Sequence, residues 1–268
     1  MSSLHPRAQA IVERFAPRDF SQQRLDKRVV ERAISQHLEA LELPQRPVRW
    51  FADAMSAIAH MTLRLEPITA NVSDALARLN VLLSPLHVDS EPGDAAWAAE
   101  HAAWTAATAA GKNALWNAAW ADGHTAAWQA LRGAAWSAAW DAIFDRADDG
   151  EAPDEPSWLG TAALLTLPED ALRAAAKAVA AVNALSVFPH PTQERLCRIW
   201  LSMVEAVDAG LAVYWITRHE IICVPQPALS IHEDRLHCED GPAVRWSSGE
   251  RYWFLRGAPA LEPENHPS

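Results

Sequence analysis

Apolar residues recur through the first half of the chain at three- and four-residue steps, the spacing of one helical face. In SQQRLDKRVVERAISQHLEALEL, residues 21–43, Leu25, Val29, Val30, Ile34, Leu38 and Leu41 follow it; Ser21 is placed to cap the helix and Pro44 to stop it. A short helix over RAQAIVERF precedes this one, and RPVRWF, residues 46–51, reads as extended. Further helices are expected over ADAMSAIAHM and, capped by Ser73, over DALARLNVLL, with SPLHVDSEPGD (84–94) as a loop. Helices resume over PEDALRAAAKAVAAVNAL and PTQERLCRIWLSMVEAVDAG, each opened by Pro with acids in the first turn, where the helix dipole favours them.

The pattern changes after Gly210. LAVYWITRHEIICVPQPALSI is rich in β-branched and aromatic residues and reads as strands. PAVRWSSGERYWFLRG reads as a hairpin turning at Ser247-Ser248-Gly249, with the glycine supplying the positive φ. Helices first and strands last is an α+β order, mostly α: an Ala/Trp-rich helical body followed by a small C-terminal antiparallel β-sheet. The expected organisation is a body over 1–147, an acidic linker at 148–157, further helices packing on the body over 158–210, and a β region over 211–268.

Residues 95–147 repeat an Ala-Ala-Trp unit, most densely in HTAAWQALRGAAWSAAWDAIF (124–144). At 100° per residue Trp128, Trp136 and Trp140 share one stripe, Trp116 and Trp120 lie a turn apart, and Trp97 and Trp104 are nearly eclipsed. Breaks are expected near Gly111-Lys112 and Asp122-Gly123. The physical expectation is size complementarity: alanine lets helix axes approach, and a facing tryptophan fills the space left. Each buried Trp removes ~200 Å² from water, worth at most ~5 kcal/mol. The competing reading is an aromatic pocket for a flat or cationic ligand. Glu100, Asp122, Asp141 and Asp145 give the segment the wrong sign for anionic lipid.

Composition narrows the partners. The 268 residues carry a formal net charge of −11, which opposes general binding to nucleic acid or to an anionic membrane. The first 50 residues have nine Arg/Lys against six Asp/Glu, a local +3 that leaves −14 for the rest. That basic arm suits docking on the acidic half of its own molecule, or on an acidic partner. Three cysteines, Cys197, Cys223 and Cys238, cannot build a disulfide framework. The first residues show no apolar signal region, and no apolar run reaches ~18 residues. A cytoplasmic location without membrane insertion is the expectation.

The most distinctive run is RLHCEDGPAVRWSSGERYWFLRGAPA, residues 235–260. Leu236, His237, Asp240, Gly241, Pro242, Ala243, Gly249, Trp253 and Gly257 resemble the L-H-x-x-D-G-P-A…G…W…G unit of hairpin repeats akin to membrane-occupation-and-recognition-nexus repeats. Together with PVRW, the Ala-Ala-Trp repeats and CVPQP, the chain resembles an uncharacterised bacterial family, a domain of unknown function. That resemblance implies an architecture and no activity. Two positions depart from it: SSG stands where Pro-Asp-Gly is usual, and FLRG where an aromatic-His-Gly is usual.

For chemistry, His219, Cys223, His232, His237 and Cys238 fall within twenty residues and are of zinc-ligand type. Their spacing argues against a site: no Cys-x-x-Cys or His-Glu-x-x-His pair is present, and neighbours on a strand point to opposite faces. The alternative is His237 bonding backbone at the turn and Cys223 buried in the sheet. A Cys238/His237 hydrolase has the residue types without the geometry, and no phosphate loop or nucleophile elbow is present. The expected function is therefore non-catalytic binding of another protein through Arg245, Trp246, Arg251, Tyr252, Trp253 and Arg256, residue types enriched at interface hot spots. Two alternatives stand beside it: an enzyme or small-molecule-binding protein with a site between body and sheet, and an acidic inhibitor of a basic partner. No cofactor is expected, zinc being the one considered.

Overall fold

The computed structural model describes residues 4–15, 25–53, 56–57, 60, 91–132, 173–232 and 235–260. The linker expected at 148–157, the helix from Ser73, and Trp136 and Trp140 lie outside them.

The helical body is built around one helix that is apolar on every side. In α5 (173–187) the run from Ala174 to Ala184 is buried throughout except for half-buried Lys177. A helix hydrophobic all round must be enclosed. Around it stand α1 (Pro6–Phe15), α2 (Lys27–Leu41), α3 (Glu91–Ala109), α4 (Asn113–Arg132) and α6 (Pro191–Asp208), whose apolar residues share one core with it. Asn183, buried in this apolar setting, has its amide satisfied: Nδ2 donates to the Ala119 carbonyl at 2.7 Å, and Oδ1 accepts from the His5 backbone at 3.1 Å.

Several boundaries differ from expectation for identifiable reasons. Helix α2 starts at Lys27, because the Asp26 carboxylate accepts from Val29 N and makes the cap assigned to Ser21. It ends before Pro44, with Glu42 in the left-handed region at φ 63°. Helix α3 begins at Glu91, so residues 91–94 are helical and not loop; Pro92 falls in the first turn, where no backbone donor is needed. The break at Gly111-Lys112 is present, with Gly111 at φ 66°. The break at Asp122-Gly123 is absent: α4 runs straight through, and Gly123 is where it touches α5.

The tryptophans correct the expectation most. In α3 the alanines face inward, Ala99, Ala103 and Ala107 being 0–2% exposed, while Trp97 is 68% and Trp104 38% exposed. In α4 Trp116 is buried and stacks on Trp120 at 5.1 Å, but Trp128 is 38% exposed. Close helix approach through alanine holds; filling by tryptophan holds at Trp116 and fails at Trp97, Trp104 and Trp128.

The C-terminal strands β2 (Leu211–Ile216), β3 (Ile221–Pro225), β4 (Ala228–Leu229), β5 (Ile231–His232), β6 (Arg235–Leu236), β7 (Val244–Arg245), β8 (Arg251–Leu255) and β9 (Ala258–Ala260) pair antiparallel, so the chain is α+β and mostly α. One pairing was not foreseen. The short strand β1 (Val48–Trp50) adds in parallel to β3, with Trp50 opposite Cys223, making the order β1-β3-β2. This sheet packs on α2 and α6 through Val30, Ile34, Leu38, Met203, Leu211, Ile221 and Cys223. Three residues of the basic arm make internal ion pairs: Arg14 with Asp208, Arg32 with Glu205, Arg49 with Glu220. Among the described residues no helix is long and apolar enough to cross a membrane.

Candidate functional site

The second sheet, ordered β4-β7-β8-β9, carries the hairpin singled out by the sequence. Its first turn closes through Gly249 at φ 96°, with Trp246 N donating to the Glu250 carbonyl at 2.9 Å. Its second turn has two residues, Arg256 and Gly257, at φ 52° and 85°, the left-handed pair that matches strand twist. A clasp holds this turn. Gly257 N donates to the Leu236 carbonyl (2.9 Å), Arg256 N to the His237 Nδ1 (3.0 Å), and Cys238 N to the Phe254 carbonyl (3.1 Å). The Leu-His pair of the repeat-like motif is thus a buckle across the hairpin tip.

Strand alternation sorts the side chains into two faces. Val244, Trp246 and Phe254 are buried and Tyr252 is half-buried on the inner face. Trp246, expected at a binding surface, is 2% exposed, and its indole N–H donates to the Pro225 carbonyl at 3.0 Å, tying the two sheets together. It shares parity with Val244, which places it in the core. Tyr252 also belongs inside: its ring meets Trp246 edge-on, and its hydroxyl donates to Glu250 Oε1 at 2.5 Å. Burial first, then the Glu250 carboxylate, push the Tyr252 hydroxyl well above its ordinary range.

The outer face carries Arg245, Arg251, Trp253 and Leu255, with Arg256 at the tip. Arg245 and Arg251 are directly opposed across β7 and β8. The neighbouring pair, Trp246 and Glu250, is hydrogen-bonded, so the arginines occupy the close, non-bonded position with Cα atoms ~4.5 Å apart. The Arg251 guanidinium carbon sits 5.2 Å from the centre of the Trp253 ring. Leu255 is 46% exposed.

The five metal-type residues do not gather. His219 is exposed in the β2–β3 turn, whereas Cys223 is fully buried in β3 against α2, its thiol pushed up first by burial and then by Glu31. His232 and His237 are neighbours with ring centres 5.7 Å apart, but His237 Nδ1 is occupied by the backbone of Arg256. Cys238 lies beside Gly241. Among the described residues no group of three or more His, Cys, Asp or Glu could hold a metal ion.

Two constellations escaped sequence reasoning. Glu220 accepts from Arg49 Nε at 2.7 Å and from His60 Nε2 at 2.9 Å. Burial would raise the Glu220 carboxyl, but the hydrogen bonds from His60 and Arg49, then their charges, outweigh it and hold it below the ordinary carboxylate range. In the body, the Lys177 ammonium lies 5.2 Å from the Trp120 ring and 6.0 Å from the Trp200 ring, and donates to Glu100 at 2.7 Å. Part of the aromatic cluster does hold a cation, and the cation is the chain's own. His124 alongside is lowered from its ordinary pKa by burial and by Lys177, with Glu100 opposing. No signal in a single sequence links residues 160 or more positions apart, as His60 and Glu220 are.

No protein-family model, curated protein or solved structure matches this chain.

Proposed function

We propose that the protein acts without catalysis, by binding another protein on the outer face of its β4-β7-β8-β9 sheet. One observation carries the reading: Arg245 and Arg251 stand opposed on an exposed face that also presents Trp253 and Leu255. Arginine and tryptophan are side-chain types enriched at binding hot spots, and here they share one strand-ordered face with an exposed leucine. A partner covering the face turns these into contacts of the type that dominate interfaces. The net charge of −11 places nucleic acid and anionic membrane outside the proposal.

The test is a photo-crosslinking amino acid placed at Leu255 and, separately, at Leu115, which is 54% exposed on α4. In cells of the source organism the Leu255 probe is expected to give a discrete protein adduct that the Leu115 probe does not. Equal labelling from both positions, or none from either, would refute the proposal.

A second reading rests on His60. Its imidazole is oriented by the Glu220 carboxylate, itself fixed by Arg49, which is half of an acid–base relay. A small-molecule turnover lost in His60→Gln with crosslinking at Leu255 unchanged would favour this alternative.

A further inference from the structure

A second surface lies on the helical body and does not depend on the sheet. We infer that the flank of α3 and α4 bearing Trp97, His101, Trp104 and Trp128 is a contact between two copies of this chain. These rings are exposed and already ordered. On α3, Trp97 stacks on His101 with ring centres 5.3 Å apart, and His101 meets Trp104 at 5.9 Å; on α4, His124 stacks on Trp128 at 6.2 Å. Side chains held this way lose less freedom when another surface covers them. The turn at 110–112 folds α4 back along α3, which brings Glu100 to the level of His124 and Trp97 to that of Trp128. Together the three indoles leave roughly 300 Å² of ring in water, the scale at which an exposed apolar patch marks an interaction site.

Charge and size choose the occupant. From Ala95 to Ala110 the one ionisable side chain besides His101 is Glu100, and its carboxylate is taken by Lys177 at 2.7 Å. From Gly123 to Leu131 on α4 it is His124. Two copies of a chain of net charge −11 repel wherever their surfaces carry that charge, and on this flank they meet without the cost. A basic partner, the kind an acidic protein attracts, finds no free carboxylate row here. Size is complementary within the one flank. At 100° per residue Trp104, Trp97 and His101 form a ridge over about 60° of α3, and exposed Thr105, Ala98 and Ala102 fill the next ~100° as a low shelf. A two-fold contact sets the ridge of each copy on the shelf of the other, the self-complementarity that an isologous interface requires. Packing of tryptophan on alanine, which fails within the chain at Trp97 and Trp104, is then met between chains. The 19 residues of α3 are about 28 Å long, and two helices abreast are about 20 Å wide. Such a strip buries roughly 1,100 Å² over two copies, just past the ~1,000 Å² of a specific interface, so the dimer is weak and reversible. Leu115 lies about 140° around α4 from Trp128, outside the contact.

Analytical ultracentrifugation of the full chain, from about 2 to about 200 µM, tests this. The expected result is a monomer that passes to a dimer with a dissociation constant on the order of 10–100 µM. Trp97→Ala removes the ridge, and Ala102→Glu puts a charge on the shelf at an exposed position where glutamate is a good helix former. Each is expected to raise the dissociation constant at least tenfold with an unchanged circular dichroism spectrum, whereas Leu115→Glu leaves it unmoved. A photo-crosslinking amino acid at Thr105 is expected to give a homodimer adduct that Trp97→Ala abolishes. A chain that stays monomeric throughout the range overturns the inference, and a Thr105 adduct with some other protein would then assign the flank to a foreign partner. Dimerisation equally strong in Trp97→Ala and Ala102→Glu overturns it by placing the contact elsewhere. Growth past a dimer overturns it too, since a two-fold contact closes on itself.

Discussion

Replacing Gly123 by alanine tests the core of this fold, because propensity and packing predict opposite signs. Gly123 is in the interior of α4, where alanine is favoured over glycine by about 1 kcal/mol. A methyl group there would lie 2.9 Å from Ala180 Cα, 3.0 Å from the Val179 carbonyl oxygen and 3.1 Å from Asn183 Cβ. Two of these are backbone atoms of α5, which is enclosed by the other helices. The third belongs to a side chain pinned by its bonds to Ala119 and His5. Relief must come from parting α4 and α5, and overpacking of this kind costs about 1–3 kcal/mol. Stretching the Asn183 bonds adds about 1 kcal/mol for each one lost. The expected net effect is destabilisation by about 1–3 kcal/mol, a fall of roughly 2–5 °C in Tm for a chain of this size. Urea and thermal unfolding followed by far-ultraviolet circular dichroism measure it. Gly93→Ala in α3, with nothing within 4 Å of the new methyl, is the control and should be neutral or stabilising by up to about 1 kcal/mol. A Gly123→Ala protein more stable than wild type would show that the two helices do not meet through this residue.

The same unfolding assay separates the tryptophans: Trp116→Ala should cost about 3–5 kcal/mol, whereas Trp97→Ala at an exposed site should stay within about 0.5 kcal/mol. Equal losses would restore a core role for Trp97. His37 sets an acid limit on stability. Burial lowers its pKa from the ordinary 6.5 to about 4, opposed by the bond its Nδ1–H donates to the Ile199 carbonyl at 2.9 Å. Above pH 6.5 the ring is neutral in both states; as pH falls from 6.5 to 4 the unfolded chain takes the proton first and stability drops, by about 3 kcal/mol in all. Urea midpoints for wild type and His37→Phe across that range check it, and a parallel fall in both proteins would assign the loss to other groups.

What the sequence revealed and hid follows from whether a pattern has one period. The α2 stripe Val30, Ile34, Leu38 and Leu41 was legible because charged and polar residues such as Arg28, Glu31, Arg32, Ser35, Gln36 and Glu39 separate its large apolar ones. The α3–α4 segment was not, because alanine occupies every face and the buried stripe Ala99, Ala103, Ala107 cannot be told from its neighbours by composition. With no period to read, size was the remaining guide, and it put the wrong residues inside. Gly123 reads as a break by the same route: a glycine in a helix is a punctuation mark until a partner helix is known to press on it. On the hairpin the information was present. Trp246 alternates with Arg245 and matches Val244, so strand parity alone removes it from the exposed set, and Tyr252 goes with it. The Arg49–Glu220–His60 contact depends on β1 joining β3, and a three-residue strand carries too little pattern to announce a parallel pairing.

The clasp at the hairpin tip connects the motif to the proposed face. Arg256 has φ 52°, a conformation that costs a side-chain-bearing residue about 1 kcal/mol or more, and it is held there by the bond from its N–H to the His237 ring. The same turn ends β8, so it also fixes where Leu255 leaves the strand and where Arg256 begins. A histidine used this way must keep Nδ1 unprotonated and facing the backbone, which is incompatible with giving that nitrogen to a metal. The clasp and a zinc site through Nδ1 are thus alternative uses of one residue, and the geometry at Arg256 selects the clasp. Its consequence is mechanical: a hairpin made of the two-residue β7, the five-residue β8 and a two-residue turn gains rigidity from the clasp. The proposed binding face of Arg245, Arg251, Trp253 and Leu255 is thereby tied to Leu236 and His237, which accept the hydrogen bonds of the turn and carry the sequence motif.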